Sequence, residues 1–126
     1  MSVPITAIYA GLCGLLAVVL ANNVLYFRMR ARRQPEWRPE AVLRVQANFV
    51  ENVPLALTLL LALELCGAAH GVLHAFGAAL VVFRLLHAFG MSLFAGANYP
   101  RLIGAQGTFL LISAMSVSLV YAGLIA

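Results

Sequence analysis

Residues 5–33 read ITAIYAGLCGLLAVVLANNVLYFRMRARR, and the fold turns on them. From Ile5 to Tyr26 only Thr6 and the Asn22-Asn23 pair interrupt an apolar run, which then stops at Arg28, Arg30, Arg32 and Arg33. A bilayer core about 30 Å thick takes about 20 helical residues, so this run is long enough to cross it. The arginines mark where it leaves. No basic residue precedes the run at Met1, Ser2 or Val3, so it does not read as a cleavable leader and is expected to stay as a first helix.

The same pattern returns three times. A polar stretch with Pro35, Glu36, Trp37, Arg38, Pro39 and Glu40 gives the longest loop, its two prolines opposing a continuous helix and its tryptophan suited to a membrane interface. A second span is predicted from about Ala41 to Gly67, polar in its first half and aliphatic from Val53 onward. A short turn around Gly67 to Gly71 leads to a third, from about Val72 to Leu93. Gly96, Asn98, Pro100 and Gly104 predict a loop around Arg101, followed by a charge-free fourth span from about Leu102 to Ala126.

Composition agrees with that reading. The 126 residues are 63% hydrophobic and only 10% charged, which excludes an ordinary soluble domain. Mean hydropathy is +0.97. The expected architecture is all-α, one integral membrane four-helix bundle over residues 1–126.

The net charge of +4 comes from eight arginines and four glutamates, with no lysine. Five arginines follow the first span, Arg44 begins the second, Arg84 lies late in the third and Arg101 precedes the fourth, so all of them gather on one side. Membrane topology therefore accounts for the basic residues, and no nucleic-acid partner is implied. The positive-inside rule places the arginine-rich side in the cytoplasm and both termini outside. Arginine and alanine without lysine point to a bacterial source, hence the inner membrane. Cys13 and Cys66 have no metal-ligand spacing and read as buried thiols.

Polar groups inside a span are costly and usually face a bundle interior, a cavity or a subunit boundary. Arg44, Asn48 and Glu51 fall within an arc of roughly 60° on one helix face, with Arg44 and Glu51 about 10 Å apart along the axis. Pro54 removes a backbone donor beside this stripe, leaving the carbonyl of Val50 free. On the third span Arg84 and His87 share a face at a similar depth, with Met91 one turn on. One reading makes Arg44, Glu51 and Arg84 a mutually neutralising ion network. Yet four acids cannot pair eight arginines, and the remaining cationic cluster invites an anion, lipid headgroups being one candidate for Arg28 to Arg33. His70 and His74 are four apart, but no third ligand joins them, so no metal is expected.

The segment Arg44-Val-Gln46-Ala-Asn48-Phe-Val-Glu51-Asn52-Val-Pro54 resembles the signature of the MAPEG family, the membrane-associated proteins in eicosanoid and glutathione metabolism. The likeness continues through Arg84-Leu-Leu-His87 and Asn98-Tyr-Pro-Arg101-Leu-Ile-Gly104, and so covers essentially the whole chain. It implies a homotrimer of four-helix protomers with glutathione held between subunits near the cytoplasmic side. Glutathione carries two carboxylates, an ammonium and a thiol, so its site needs arginines, an acid and amide partners.

Residue by residue, the resemblance implies that Arg44, Asn48 and Glu51 bind the peptide, Glu51 matching its ammonium. Gln46 matches a further contact, though it points away from the stripe, and Arg28 or Arg30 is expected to reach a carboxylate. Arg84 and His87 would support the site. Arg101 matches the arginine that activates the thiol in catalytic members, since a nearby guanidinium lowers a thiol pKa from about 8.5. Leukotriene C synthase-like members carry tyrosines where this chain has Asn52, His87 and Met91, which directs the likeness to the microsomal glutathione transferase and bacterial branches.

The expected function is a glutathione transferase, with glutathione peroxidase activity as a further reaction, acting on a lipophilic electrophile that arrives through the lipid. Glutathione would be co-substrate and membrane lipid a partner. The alternative is a non-catalytic lipid-binding or scaffold member. Small four-helix drug/proton antiporters match in length, but their first helix carries a membrane-embedded glutamate and this one carries no acid.

Overall fold

The computed structural model describes residues 4–31, 39–93 and 99–125. They form α1 (Ile5–Ala31), α2 (Pro39–Leu65), α3 (His70–Leu93) and α4 (Tyr99–Ile125), and no strand. Each helix contains a segment long and apolar enough to cross a membrane: Ile5–Tyr26, Leu43–Leu65, His70–Ala88 and Leu102–Ile125. The expected all-α, membrane-spanning four-helix architecture is the one observed.

Successive helices run in opposite directions, as specific contacts require. Backbone amides of Ile5 and Thr6 at the start of α1 donate to the Glu64 carboxylate at the end of α2, the Thr6 bond at 2.8 Å. Tyr9 meets His74 near the start of α3. Late in α3, Arg84 meets Thr108 early in α4. One end of the bundle therefore gathers the end of α1, the start of α2, the end of α3 and the start of α4. These are the arginine-bearing positions. α1 packs on α2 and α3, and α4 packs on α3 and α2, with no packing between α1 and α4 among the described residues.

The interior is a stripe on each helix. On α2 it is Val45, Phe49, Val53, Ala56, Leu60 and Leu63, spaced three or four apart as one helical face requires. Leu73 and Leu80 from α3, Leu111 and Met115 from α4, and Tyr9 and Cys13 from α1 close over it. Outward-facing leucines and valines such as Leu15, Val50, Val82 and Leu110 are exposed, which is the pattern of a helix whose solvent is lipid.

Several sequence expectations change. Pro39 and Glu40, expected in the longest loop, open α2, where proline in the first turn costs no helical bond. Residues around Arg101 were expected to be a loop, yet α4 already begins at Tyr99. Pro100 then falls in the first turn, where a missing N–H costs no helical bond and φ is already set. Gly104 is likewise helical, and its lack of a side chain serves packing. Cys13 is buried as expected, but Cys66 is exposed in the turn after α2.

That turn is tight for a stated reason. Gly67 has φ 84°, a left-handed conformation that glycine adopts without penalty. Its amide donates to the Glu64 carbonyl at 3.0 Å and that of Ala68 to the Leu63 carbonyl at 3.1 Å, a Schellman closure that ends α2. The interfacial reading of Trp37 lies outside the described residues.

Candidate functional site

The polar positions of α2 divide according to the face they occupy. Arg44 and Glu51 are exposed on the outer surface of the protomer, whereas Asn48 and Gln46 are half-buried. Asn48 leaves its side-chain oxygen, a buried atom, without a hydrogen-bond partner among the described residues. Asn52 turns back on its own helix, its side-chain amide donating to the Asn48 carbonyl at 2.8 Å. One turn past Pro54, the Thr58 hydroxyl donates to the Pro54 carbonyl at 2.8 Å.

Glu51 lies eight residues into a segment that begins at Leu43, about 12 Å deep at 1.5 Å per residue. Arg44 stands near the edge, where a long side chain reaches the interface unaided. Glu51 has no such escape. An ionised side chain at depth on a lipid-facing surface costs about 2.5–3.5 kcal/mol by insertion scales. Arg44 and Glu51 thus share the outer face of a segment apolar enough to span a membrane, with Asn48 half-buried beside them.

Arg84 and His87 lie elsewhere, inside the protomer. Arg84 is only 1% exposed, and its guanidinium sits 5.8 Å from the centre of the Phe49 ring on α2, a cation–π contact. Its Nη1 donates to the Thr108 hydroxyl on α4 at 3.4 Å, and its Nη2 faces His87 Nδ1 at 3.5 Å. Arginine can only donate, so His87 Nδ1 is the acceptor there. Thr108 in turn donates to the Gly104 carbonyl at 2.7 Å. Arg84 Nε has no partner among the described residues. The ion network of Arg44, Glu51 and Arg84 is not formed among them either, because the first two face outward and the third inward.

Close helix approach makes this interior cluster possible. A Cβ on Gly104 would stand 2.5 Å from the His87 amide nitrogen and the Phe83 carbonyl oxygen. A Cβ on Gly107 would stand 2.6 Å from the Phe83 ring. Glycine at 104 and 107 therefore lets α4 lie against α3 and brings Thr108 to Arg84.

The opposite end of the bundle carries its own polar set, largely bonded within the chain, with the buried Thr6 hydroxyl lacking a partner among the described residues. Glu64 accepts from the first amides of α1, which no helical carbonyl can reach. Tyr9 Oη and His74 Nδ1 are 2.7 Å apart, with the rings edge to face at 5.7 Å. Among the described residues no group of three histidine, cysteine or acidic side chains is arranged to hold a metal.

Arg28 and Arg30 lie in the last turns of α1 and Arg101 in the first turn of α4, at the same end as the stripe; their side chains lie outside the described ones. Sequence reasoning missed Phe49 and Thr108, which bind the interior cluster together. Thr108 had a signal, a hydroxyl beside two glycines three apart on a spanning helix. Phe49 had none, because an aromatic on a buried stripe reads as ordinary core.

The model of the MAPEG family matches residues 6–121 of this chain. Among curated proteins the chain is similar to the inner membrane protein YecN of Escherichia coli strain K12, 31% identical over 90 residues, covering 68% of this chain and 69% of YecN. The YecN of Escherichia coli O6:H1 strain CFT073 is similar to the same extent, 31% identical over the same length. No solved structure matches.

Proposed function

The chain belongs to the MAPEG family, and on that premise we propose that it is a membrane-bound glutathione transferase of the bacterial inner membrane. The observation that carries the reading is the outward stripe of Arg44, Asn48 and Glu51 within a membrane-spanning segment. The two opposite charges, both exposed, match the ammonium and a carboxylate of glutathione, and the half-buried Asn48 stands beside them. A homotrimer encloses them, with glutathione at each boundary. Gln46, Arg28 and Arg30 are further contacts of the peptide.

The stripe lies at the arginine-rich end of the bundle, which the positive-inside rule orients toward the cytoplasm, where glutathione is available. Arg101, at that same end, holds the sulfur as thiolate. The thiolate attacks the electrophilic carbon of a lipophilic substrate, a carbon–sulfur bond forms, and the leaving group departs with the electron pair. The thiol proton passes to solvent. Reduction of a lipid hydroperoxide is a further reaction of the same thiolate: its sulfur takes the outer oxygen, the alcohol leaves, and a second glutathione thiol closes the disulfide with release of water. Arg84 and His87 act from inside the protomer.

A titration of purified protein with glutathione, read by thiolate absorbance and followed by conjugation to an aryl halide, tests this. Arg101→Ala is expected to lose turnover and thiolate absorbance and keep glutathione binding, read by equilibrium dialysis; unchanged turnover rules out its role. A second reading, a non-catalytic lipid-binding or scaffold member, is favoured by one observation: Asn52 is engaged with its own helix, where some relatives place a tyrosine. Absence of both thiolate and conjugate would select that reading.

A further inference from the structure

Arg84 presents a problem that stability alone does not answer. It is 1% exposed inside a membrane-spanning segment, and no carboxylate pairs with it among the described residues. An enclosed charge without an anion is costly, and replacement by an apolar side chain of similar volume is often neutral or stabilising. A methionine would occupy the same space and leave no Nε donor unpartnered. Direct contact with a ligand at the outer face is equally excluded by its enclosure.

What the guanidinium does is join three helices through one planar group. On α2 it lies against Phe49, the residue next to Asn48 and between Arg44 and Glu51 in the chain. On α4 it bonds Thr108, which bonds the Gly104 carbonyl, three residues from Arg101. On α3 its own partner is His87. The fork has fixed directions, unlike a flexible apolar chain, so it sets the placement of what it touches.

We infer that Arg84 is a positioning residue: from inside the protomer it fixes the α2 segment 44–51 relative to the first turns of α4. The inference rests on the glutathione reading above, since those two segments carry the proposed peptide contacts and Arg101. The rotation of α2 about its axis decides where the stripe points, and Phe49 is the side chain of that segment that Arg84 grips.

The test compares the full-length protein with Arg84→Met and Arg84→Lys in detergent and in reconstituted vesicles. Each is titrated with glutathione by thiolate absorbance, and each is melted in parallel. For Arg84→Met the half-saturating glutathione concentration is expected to rise about tenfold or more, the scale set by small misplacements of a binding constellation, with no fall in melting midpoint. Arg84→Lys, which keeps the charge and loses the fork, is expected to fall between Arg84→Met and the unmodified protein.

Unchanged half-saturation in Arg84→Met, with the unmodified protein binding normally, overturns this inference alone. A loss of binding that only tracks a lowered melting midpoint overturns it too, since that is a packing role. No thiolate signal in the unmodified protein overturns the glutathione reading and this inference with it. Should Arg84→Met fail to assemble, Thr108→Val removes one partner at constant volume and is read the same way.

Discussion

Gly104→Ala adds one methyl group where α3 and α4 cross, and the structure dictates the consequence. The new carbon would stand 2.5 Å from the Phe83 carbonyl oxygen and the His87 nitrogen and 2.8 Å from the His87 Cα. All three are backbone atoms, so no rotamer change relieves the contact. Ordinary separation begins at about 3.5 Å, so the helices must part by about 1 Å at this point. The Arg84–Thr108 contact, already 3.4 Å, then passes beyond hydrogen-bonding range.

Overpacking of this kind costs about 1–3 kcal/mol. Alanine is also a better helix former than glycine by about 0.8–1.0 kcal/mol, which would mask part of the effect. Gly14→Ala supplies the control, because a Cβ there meets nothing within 4 Å. Both variants gain the propensity term, so their difference reads the crossing alone: about 1–3 kcal/mol against Gly104→Ala. Thermal unfolding in one detergent, followed by helical circular dichroism, measures it. A melting midpoint for Gly104→Ala equal to or above that of Gly14→Ala would refute the claim that glycine is there for close approach.

Two further outcomes follow from other parts of the bundle. Glu64→Ala removes the acceptor of the Ile5 and Thr6 amides, so the start of α1 should exchange its amide hydrogens faster and the melting midpoint should fall; unchanged exchange at residues 5 and 6 would show that the clasp is not what orders that end. Cys66 should react promptly with a small maleimide in folded protein, whereas Cys13, enclosed between helices, should react only after unfolding. Equal labelling of both at native temperature would contradict the packing of α1 on the core.

The number of helices, their order and their approximate limits were legible because lipid imposes a length and a composition that few other environments do. The limits that shifted did so where two effects competed. Pro100 reads as a loop signal by itself, yet in the first turn of α4 it is compatible with helix, and the chain used it so. That Arg44 and Glu51 share an outward face of α2 was legible from spacing, whereas the partial burial of Asn48 beside them was not. Whether Arg84 faces that stripe or the interior was not, because spacing gives angles within one helix and says nothing of which neighbour lies opposite. The answer depended on Gly104 and Gly107, whose effect is to set a distance between helices.

Polar groups in this bundle meet three fates, and the contrast among them locates the chemistry. Glu64, Tyr9 and His74 find partners within the chain, so they need nothing further. Arg84 is enclosed, and its Nε has no partner among the described residues. Glu51 is exposed about 12 Å along a segment apolar enough to span a membrane. The first group stabilises one end of the bundle, and the other two lie toward the opposite end, where the arginines gather. If Glu51→Leu assembled as the native protein does and bound glutathione as tightly, the exposed carboxylate would have no ligand to serve. The same variant binding nothing while melting no lower than the native protein would place its role in recognition rather than in assembly.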